Sequence, residues 1–234
     1  MMSRCAFHAS EFVLNAASFG FIMQTTASDW THFLAPWAGS DTLLPAILLG
    51  IGLAASSGLR AFLPLFALSL AFHFGFGPHA SGHFAWLGSP VALGALFIAT
   101  VIEVAGDKIP VVDHALDGVG TFVRPVAGAL AAGAVFNSHD PATGALLGLI
   151  VGAPLALGVH GAKAATRGAS TVSTMGFANP FVSLLEDVAV VFGTAVAFFL
   201  PIMVPVLLGV AGWVTWKAYR GVRGRLGKGK RVAV

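Results

Sequence analysis

Charged residues and cysteine are both scarce in this sequence. Asp, Glu, Lys and Arg make up only 10% of the 234 residues, whereas a soluble domain has about 25%. The single cysteine, Cys5, excludes an internal disulfide and any paired-thiol site. The sequence also lacks HExxH and GxSxG patterns, which mark zinc proteases and serine hydrolases. We therefore predict a protein that is not an enzyme, with no catalytic residues, no cofactor and no metal site.

Long apolar runs take the place of the missing charge. Hydrophobic residues make up 56% of the chain, and about 20 apolar residues in a row can cross a bilayer core as a helix. The sequence predicts an all-α polytopic membrane protein with about seven hydrophobic segments and 6–7 spans. The segments are 42–57, 59–76, 87–108, 111–135, 142–163, 180–199 and 202–219. We expect an N-terminal extension at 1–41, a transmembrane domain at 42–221 and a basic cytoplasmic tail at 222–234.

Positive charge is concentrated at the C-terminus. The last stretch, WKAYRGVRGRLGKGKRVAV, holds seven of the thirteen basic residues and no acidic residue. The loop GFGPHASGHFAW has neither Lys nor Arg, whereas GAKAATRGAST carries both. Because basic segments next to membrane spans stay in the cytoplasm, we predict an outside N-terminus and a cytoplasmic C-terminus. This topological role explains the basic tail, and we expect no nucleic-acid partner.

Two apolar stretches are interrupted by small polar residues. Ser57 and Gly58 separate the first two segments, each of which is short for a complete span. A broken helix or a re-entrant pair is therefore as consistent with the sequence as two spans. The second interruption, GASTVSTMGFANP, ends at Asn179 and Pro180, where the start of a helix would offer free N–H groups to an anion. Interrupted elements in both halves of a chain are also typical of inverted repeats around a central site.

Many of the remaining charged residues lie inside the apolar segments or at their ends. A charge inside a membrane costs several kcal/mol, so it needs a partner and commonly marks function. We expect these side chains to converge on a polar cavity in the cytoplasmic half of the membrane. There Arg60, at the first interruption, would face carboxylates or an anionic substrate. The alternative is a purely structural network of salt bridges.

These side chains divide by chemistry into three predicted roles. The residues predicted to bind the negative group of a substrate are Arg60, Arg124, Lys163, Arg167 and Asn179. The carboxylates predicted to carry coupling protons are Glu103, Asp107, Glu186 and Asp187. The predicted supporting residues are Lys108, Asp113, His114, Asp117 and His160. The predicted site thus contains both signs of charge.

Five short motifs resemble those of a bacterial membrane family. They are SSGLRAFLPL, DKIPVVDHALD, FVRPVAGAL, KAATRGAST and NPFVSLLED, in this order between about residues 45 and 200. The ordered set is similar to the family called domain of unknown function 4126. The resemblance implies a multi-pass protein of the bacterial cytoplasmic (inner) membrane, without an established activity.

Three classes of function fit these observations. The first is a proton-coupled secondary transporter or flippase for a small anionic or zwitterionic substrate, such as a phosphate-bearing or lipid-linked molecule. The second is a divalent cation/proton exchanger that uses the four carboxylates as ligands, although the nearby cations weigh against it. The third is a non-transporting membrane scaffold or assembly factor. The expected partners are membrane lipids, a small charged substrate and a second copy of the chain in a homodimer.

Overall fold

The computed structural model describes residues 43–75, 78, 82–108, 110–136, 141–175, 177 and 179–229. Every regular element in these residues is a helix, as the sequence predicts. The α-helices are α1 (Leu43–Leu59), α2 (Phe62–Phe74), α3 (Pro90–Gly106), α4 (Pro110–Phe136), α5 (Pro141–Leu147), α6 (Ala153–Thr174), α7 (Asn179–Phe199) and α8 (Val204–Gly229). The 3-10 helices Gly82–Gly88 and Pro201–Met203 precede α3 and α8, and the π-helical turn Gly148–Gly152 joins α5 to α6.

Fewer of these helices are long enough to cross a membrane than the seven segments suggest. Three stretches have the required length and hydropathy: Leu116–Phe136, Ala142–Val172 and Phe181–Phe199. A fourth is present if Gly82–Gly88 and Pro90–Gly106, bent by 67°, count as one span. The other apolar helices among the described residues are shorter. The described residues therefore contain 3 to 4 candidate spans, and the predicted 6–7 are not confirmed.

Large apolar side chains cover the outside of the bundle. Phe122 and Val126 on α4 are exposed, and so are Phe181 and Val188 on α7. Monomeric soluble proteins rarely expose extended apolar patches, whereas in a bilayer such side chains would face lipid tails. Together with the long apolar helices, this surface indicates a membrane protein. The orientation of the termini and the inverted repeat stay predictions.

The first predicted interruption is confirmed as a break between two helices. α1 ends at Leu59 and α2 begins at Phe62. Between them, Arg60 is non-helical and fully buried. Gly58 allows this break to lie deep in the bundle, because a Cβ atom there would be 2.4 Å from Ala156 O in α6. Only glycine permits so close an approach of two backbones.

The α1–α2 pair is a hairpin whose apex lies inside the bundle. Gly50, early in α1, packs on Phe136 at the end of α4. The 3-10 helix that follows α2 reaches the same end of the bundle, since Phe84 packs on Gly133 in the last part of α4. Both arms of the hairpin therefore run between the end of α4 and the buried apex at Arg60.

α4 and α6 run antiparallel, and the π-helical turn that precedes α6 makes a close glycine contact with α4. A Cβ atom at Gly148 would lie 2.4 Å from Ala129 O in α4. Small residues at such positions let helix backbones approach closely, which stabilises packing in lipid. Further along the pair, Arg124 of α4 contacts His160 of α6. The glycine contact thus sets the register that brings two charged segments together.

Two predicted boundaries fall at or beyond the edge of the described residues. The extension predicted at 1–41 lies outside them. The tail predicted at 222–234 is described as far as Gly229, where α8 ends.

Candidate functional site: a buried ion-pair network

Arg60, at the apex of the α1–α2 hairpin, bonds to two other helical segments. Its Nη1 lies 2.7 Å from Asp107 Oδ2, just after α3, and also donates to the Glu103 carbonyl oxygen at 3.0 Å. Its Nη2 contacts the Asp187 carboxylate in α7 and donates to Ser183 Oγ at 3.4 Å. One buried guanidinium therefore ties the hairpin to both α3 and α7.

The Glu103 carboxylate closes the start of α2. Its Oε1 accepts the backbone N–H of Ala61 at 2.8 Å, and its Oε2 accepts the backbone N–H of Phe62 at 3.1 Å. The first N–H groups of a helix have no partner within the helix, and no side-chain bond from Ala61 caps this one. Glu103 of α3 therefore caps α2 from a distance, with its negative charge at the positive end of the helix dipole.

Asp107 lies at the centre of the network. Its Oδ2 faces Arg60 and is also 3.4 Å from Lys163 Nζ and 3.3 Å from Arg167 Nη2. The side chains of Asp107 and Lys163 are fully buried. Arg167 also makes a two-pronged pair with Glu186, with Nε to Oε1 at 3.1 Å and Nη2 to Oε2 at 2.7 Å. Bidentate pairs of this kind are among the strongest hydrogen-bonded ion pairs.

A second part of the network is centred on Arg124 in α4. Its Nη1 contacts His160 Nδ1, and its Nη2 lies 3.4 Å from Asp117 Oδ1. Because a guanidinium can only donate, this contact requires a neutral His160 with its proton on Nε2, which faces Thr121 Oγ1 at 3.2 Å. Asp117 joins the two parts, since its Oδ2 accepts from Arg167 Nη1 at 3.4 Å.

The described part of the network is balanced in charge. Five cations contact four carboxylates, namely Arg60, Lys108, Arg124, Lys163 and Arg167 with Asp107, Asp117, Glu186 and Asp187. The fifth carboxylate, Glu103, bonds to backbone N–H groups of α2. Unpaired buried charges are strongly destabilising. Equal numbers of both signs let these groups lie in an apolar bundle without a net charge. Lys108 forms the exposed edge, with its Nζ 3.0 Å from Asp187 Oδ2 and its side chain 53% exposed.

Among the residues that the structure describes, three buried polar atoms of the network have no hydrogen-bond partner. They are Arg60 Nε, Arg124 Nε and Asp107 Oδ1. An unsatisfied buried donor or acceptor costs about 1–3 kcal/mol, so a bound group that completes these hydrogen bonds would stabilise the protein. The two arginine Nε donors and the aspartate oxygen acceptor would be satisfied by a molecule that carries both hydrogen-bond acceptors and hydrogen-bond donors.

The structure brings together eleven of the fourteen predicted site residues. They are Arg60, Glu103, Asp107, Lys108, Asp117, Arg124, His160, Lys163, Arg167, Glu186 and Asp187. Asn179, at the start of α7, instead donates from Nδ2 to Thr171 Oγ1 at 3.0 Å. The side chains of Asp113 and His114 lie outside the described part of the structure.

Ser183 and Thr121 are two network residues that the sequence did not predict. Both are uncharged, so the search for charges in apolar segments passed over them. Their spacing does carry a signal. Ser183 lies four residues before Asp187, and Thr121 lies three residues before Arg124. Residues at these spacings share a helix face, so hydroxyl groups on the face of a buried charge are the pattern to look for.

An open crevice of about 280 Å³ adjoins the network between the start of α2, α3 and α4. Its walls are largely apolar and include Phe62, Ala99, Ile102, Leu116, Val119 and Val123. Glu103 and Arg124 belong to the same lining. The crevice therefore reaches one carboxylate and one guanidinium of the network.

A known family covers most of this chain. The family described as Domain of unknown function (DUF4126) matches residues 47–221. The chain belongs to this family. The match confirms the resemblance carried by the five motifs, and all eleven predicted residues of the network fall within the DUF4126 region. No curated protein and no solved structure matches the chain.

Proposed function

We propose that this DUF4126 protein is a proton-coupled secondary transporter or flippase for a small anionic or zwitterionic substrate. The observation that carries the proposal is the buried, balanced network with three unpartnered polar atoms. Ionisable groups inside a membrane are costly and are commonly kept for function. A substrate that completes the missing hydrogen bonds would offset part of this cost.

The cations form the substrate-binding part of the proposed site. Arg60 and Arg124 each have a buried Nε donor without an acceptor. Lys163 and Arg167 both approach Asp107 Oδ2, a position that a phosphate or carboxylate oxygen of the substrate would take over. Arg suits such anions because its planar fork can bond two oxygens at once.

Asp107 is the carboxylate best placed for proton coupling. Its Oδ2 holds Arg60, Lys163 and Arg167 together. Protonation would remove its negative charge and leave these three cations ready for an anionic group. Proton uptake and substrate binding would therefore favour each other, which is what coupled transport requires.

The other predicted coupling residues have different surroundings. Glu186 and Asp187 each contact two cations, so protonation of either would also release positive charge. Glu103 is engaged by two backbone N–H groups of α2. We therefore assign Glu103 a structural role and keep Asp107, Glu186 and Asp187 as the coupling candidates.

The hairpin geometry favours a re-entrant first pair in the membrane. Both arms of α1–α2 extend from the same end of the bundle to the apex at Arg60, so the pair would enter and leave the bilayer on one side. The network then lies near the bundle end where α3 ends and α4 begins. With the basic tail in the cytoplasm of a bacterial inner membrane, we propose that the N-terminus lies outside.

A non-transporting scaffold is the second candidate, favoured by the extent of the ion pairing. Nearly every charged group of the network contacts an opposite charge, as in a purely structural network. A divalent cation/proton exchanger has less support. Its carboxylates would be ligands for hard cations, but here they bond to Lys and Arg side chains or to backbone N–H groups.

Thermal unfolding of the detergent-purified full chain separates these candidates, because a ligand that binds only the folded protein raises its Tm. The probes are inorganic phosphate, acetate, phosphoethanolamine and MgCl₂. Arg124→Lys keeps the charge but removes the Nε donor. Arg220→Lys is a matched control, since Arg220 is exposed and lies over the Trp216 ring.

The transporter proposal expects an anionic or zwitterionic probe to raise the Tm of the wild type and of Arg220→Lys, with a smaller shift in Arg124→Lys. A shift with MgCl₂ alone would support the exchanger. No shift with any probe would contradict the transporter and favour the scaffold.

A further inference from the structure

The crevice beside the network connects the apolar outside of the bundle with a buried charge. Ile102 and Val119 line it and are 61% and 57% exposed, so its mouth lies on the surface that would face lipid. Arg124 also lines it and is only 1% exposed. A molecule in the crevice would therefore meet hydrocarbon at the mouth and a guanidinium at the inner end.

Gly120 keeps the guanidinium within reach of the crevice. It belongs to the crevice lining, and a Cβ atom there would lie 3.1 Å from Arg124 Cζ and 3.2 Å from Arg124 Nε. This is the same Nε that has no hydrogen-bond partner. A side chain at this position would therefore crowd the guanidinium at Nε.

The crevice also offers a group of negative charge. Each oxygen of Glu103 accepts one backbone N–H, and a carboxylate oxygen has a second lone pair for another donor. The described network as a whole is balanced, so a ligand with a net charge would leave an uncompensated charge in the bundle. A ligand that carries one charge of each sign preserves the balance.

We propose that the crevice binds part of one hydrocarbon chain of a zwitterionic phospholipid, with the phosphate on Arg124 and the ammonium group on Glu103. This inference rests on the proposed function and names its substrate class, a phospholipid with an amine headgroup. The crevice volume of about 280 Å³ is just below the usual range for sites that enclose drug-sized ligands. It therefore suits part of one chain, with the rest of the lipid remaining in the bilayer.

Binding of three probes to the detergent-purified full chain tests this proposal. Diheptanoyl phosphatidylethanolamine has both the chains and the headgroup, phosphoethanolamine has the headgroup alone, and diheptanoyl phosphatidylglycerol has the chains with a net negative headgroup. The wild type should bind phosphatidylethanolamine about tenfold or more tightly than phosphoethanolamine, because burial of a few methylene groups is sufficient for that difference. Phosphatidylglycerol should bind more weakly than phosphatidylethanolamine.

Two pairs of variants separate the chain from the headgroup. Ala99→Phe fills the crevice from α3, and Ala95→Phe, one turn earlier and outside the lining, is its control. Gly120→Ala crowds Arg124, whereas Gly118→Ala adds the same methyl group in open space on the same helix. Ala99→Phe should lose the preference for phosphatidylethanolamine but still bind phosphoethanolamine. Gly120→Ala should weaken binding of both, and the two controls should bind like the wild type.

The outcomes distinguish this inference from the proposed function. Equal binding of phosphatidylethanolamine and phosphoethanolamine, or a lipid preference that survives in Ala99→Phe, would overturn the crevice proposal and leave the transporter proposal standing. A preference for phosphatidylglycerol would overturn the proposal that the ligand has a zwitterionic headgroup. If none of the three probes binds, the crevice proposal is wrong, and the transporter proposal is decided by the response to inorganic phosphate and acetate.

Discussion

Arg60 Nη1 and Asp107 Oδ2 lie 2.7 Å apart, with both side chains 0% exposed. Arg60 cannot lose its charge in a protein, and an unpaired buried cation would be strongly destabilising. The pair therefore determines where the chain between α1 and α2 can break: the apex has to reach the carboxylate at the end of α3. A charge in an otherwise apolar stretch of sequence is thus explained by a partner far along the chain.

Neutralising both members of this pair should cost less stability than the sum of the two single neutralisations. Arg60→Gln or Asp107→Asn alone leaves the network with one uncompensated charge, and losing one partner of a buried pair costs about 3–5 kcal/mol. The double variant restores equal numbers of charges. The decrease in Tm of the double variant in detergent should therefore be smaller than the sum of the decreases in the two single variants. Lys108→Gln is the control, because Lys108 is 53% exposed and surface pairs contribute little. Strict additivity of the single effects would contradict the prediction.

Glu103→Gln should loosen the start of α2 without opening the whole bundle. The amide keeps one acceptor oxygen but replaces the other with an NH₂ group, so one of the two capping bonds to Ala61 and Phe62 is lost. Loss of a helix cap costs about 0.5–2 kcal/mol. Hydrogen exchange should become faster at the amides of Ala61 and Phe62 and stay unchanged in α7. Unchanged exchange at these two amides would show that Glu103 does not cap α2.

The helices and the break at Arg60 could be predicted from the sequence because they depend on local composition, whereas most of the second predicted interruption, GASTVST, is helical and belongs to α6. Each of the seven predicted apolar segments contains a helix. The break at Arg60 was predictable because Ser57, Gly58 and the charged Arg60 lie within a few residues of each other. The convergence of charges also followed, because a buried charge in an apolar bundle needs a partner.

The pairing within the network could not be predicted, since it depends on how the helices are rotated against each other. Glu103 shows the difference. The sequence predicts a proton carrier, whereas in the structure its oxygens bond to the backbone of a helix that comes earlier in the chain. The crevice could not be predicted from the sequence either, because it lies between α3 and α4.

Gly148→Ala should destabilise the contact between α4 and the π-helical turn that precedes α6. The added Cβ atom would lie 2.4 Å from Ala129 O and 2.6 Å from Gly133 Cα, and both are backbone atoms that cannot move away easily. Overpacking of this kind typically costs about 1–3 kcal/mol. Gly158→Ala is the matched control, because nothing lies within 4 Å of its Cβ position. The control should be neutral or slightly stabilising in thermal unfolding, since Ala favours a helix more than Gly does. Equal Tm values for the two variants would contradict the close contact.

Asp107→Asn should change which ligand the network prefers. The substitution keeps the size of the side chain but removes the negative charge that faces Arg60, Lys163 and Arg167. A ligand with net negative charge would then restore the balance that Asp107 supplies in the wild type. Inorganic phosphate should therefore raise the Tm of the folded variant more than it raises the Tm of the wild type. The ratio of the phosphoethanolamine shift to the phosphate shift should be smaller in the variant than in the wild type.

Asp187→Asn provides a graded comparison for this prediction. Asp187 also faces two cations, but its side chain is 20% exposed, so solvent screens the charge that the substitution uncovers. The shift in preference towards phosphate should therefore be in the same direction and smaller than in Asp107→Asn. If neither variant changes the ratio of the phosphate and phosphoethanolamine responses, the carboxylates do not compete with substrate for the cations. The network would then be structural, and the scaffold would become the better account of this protein.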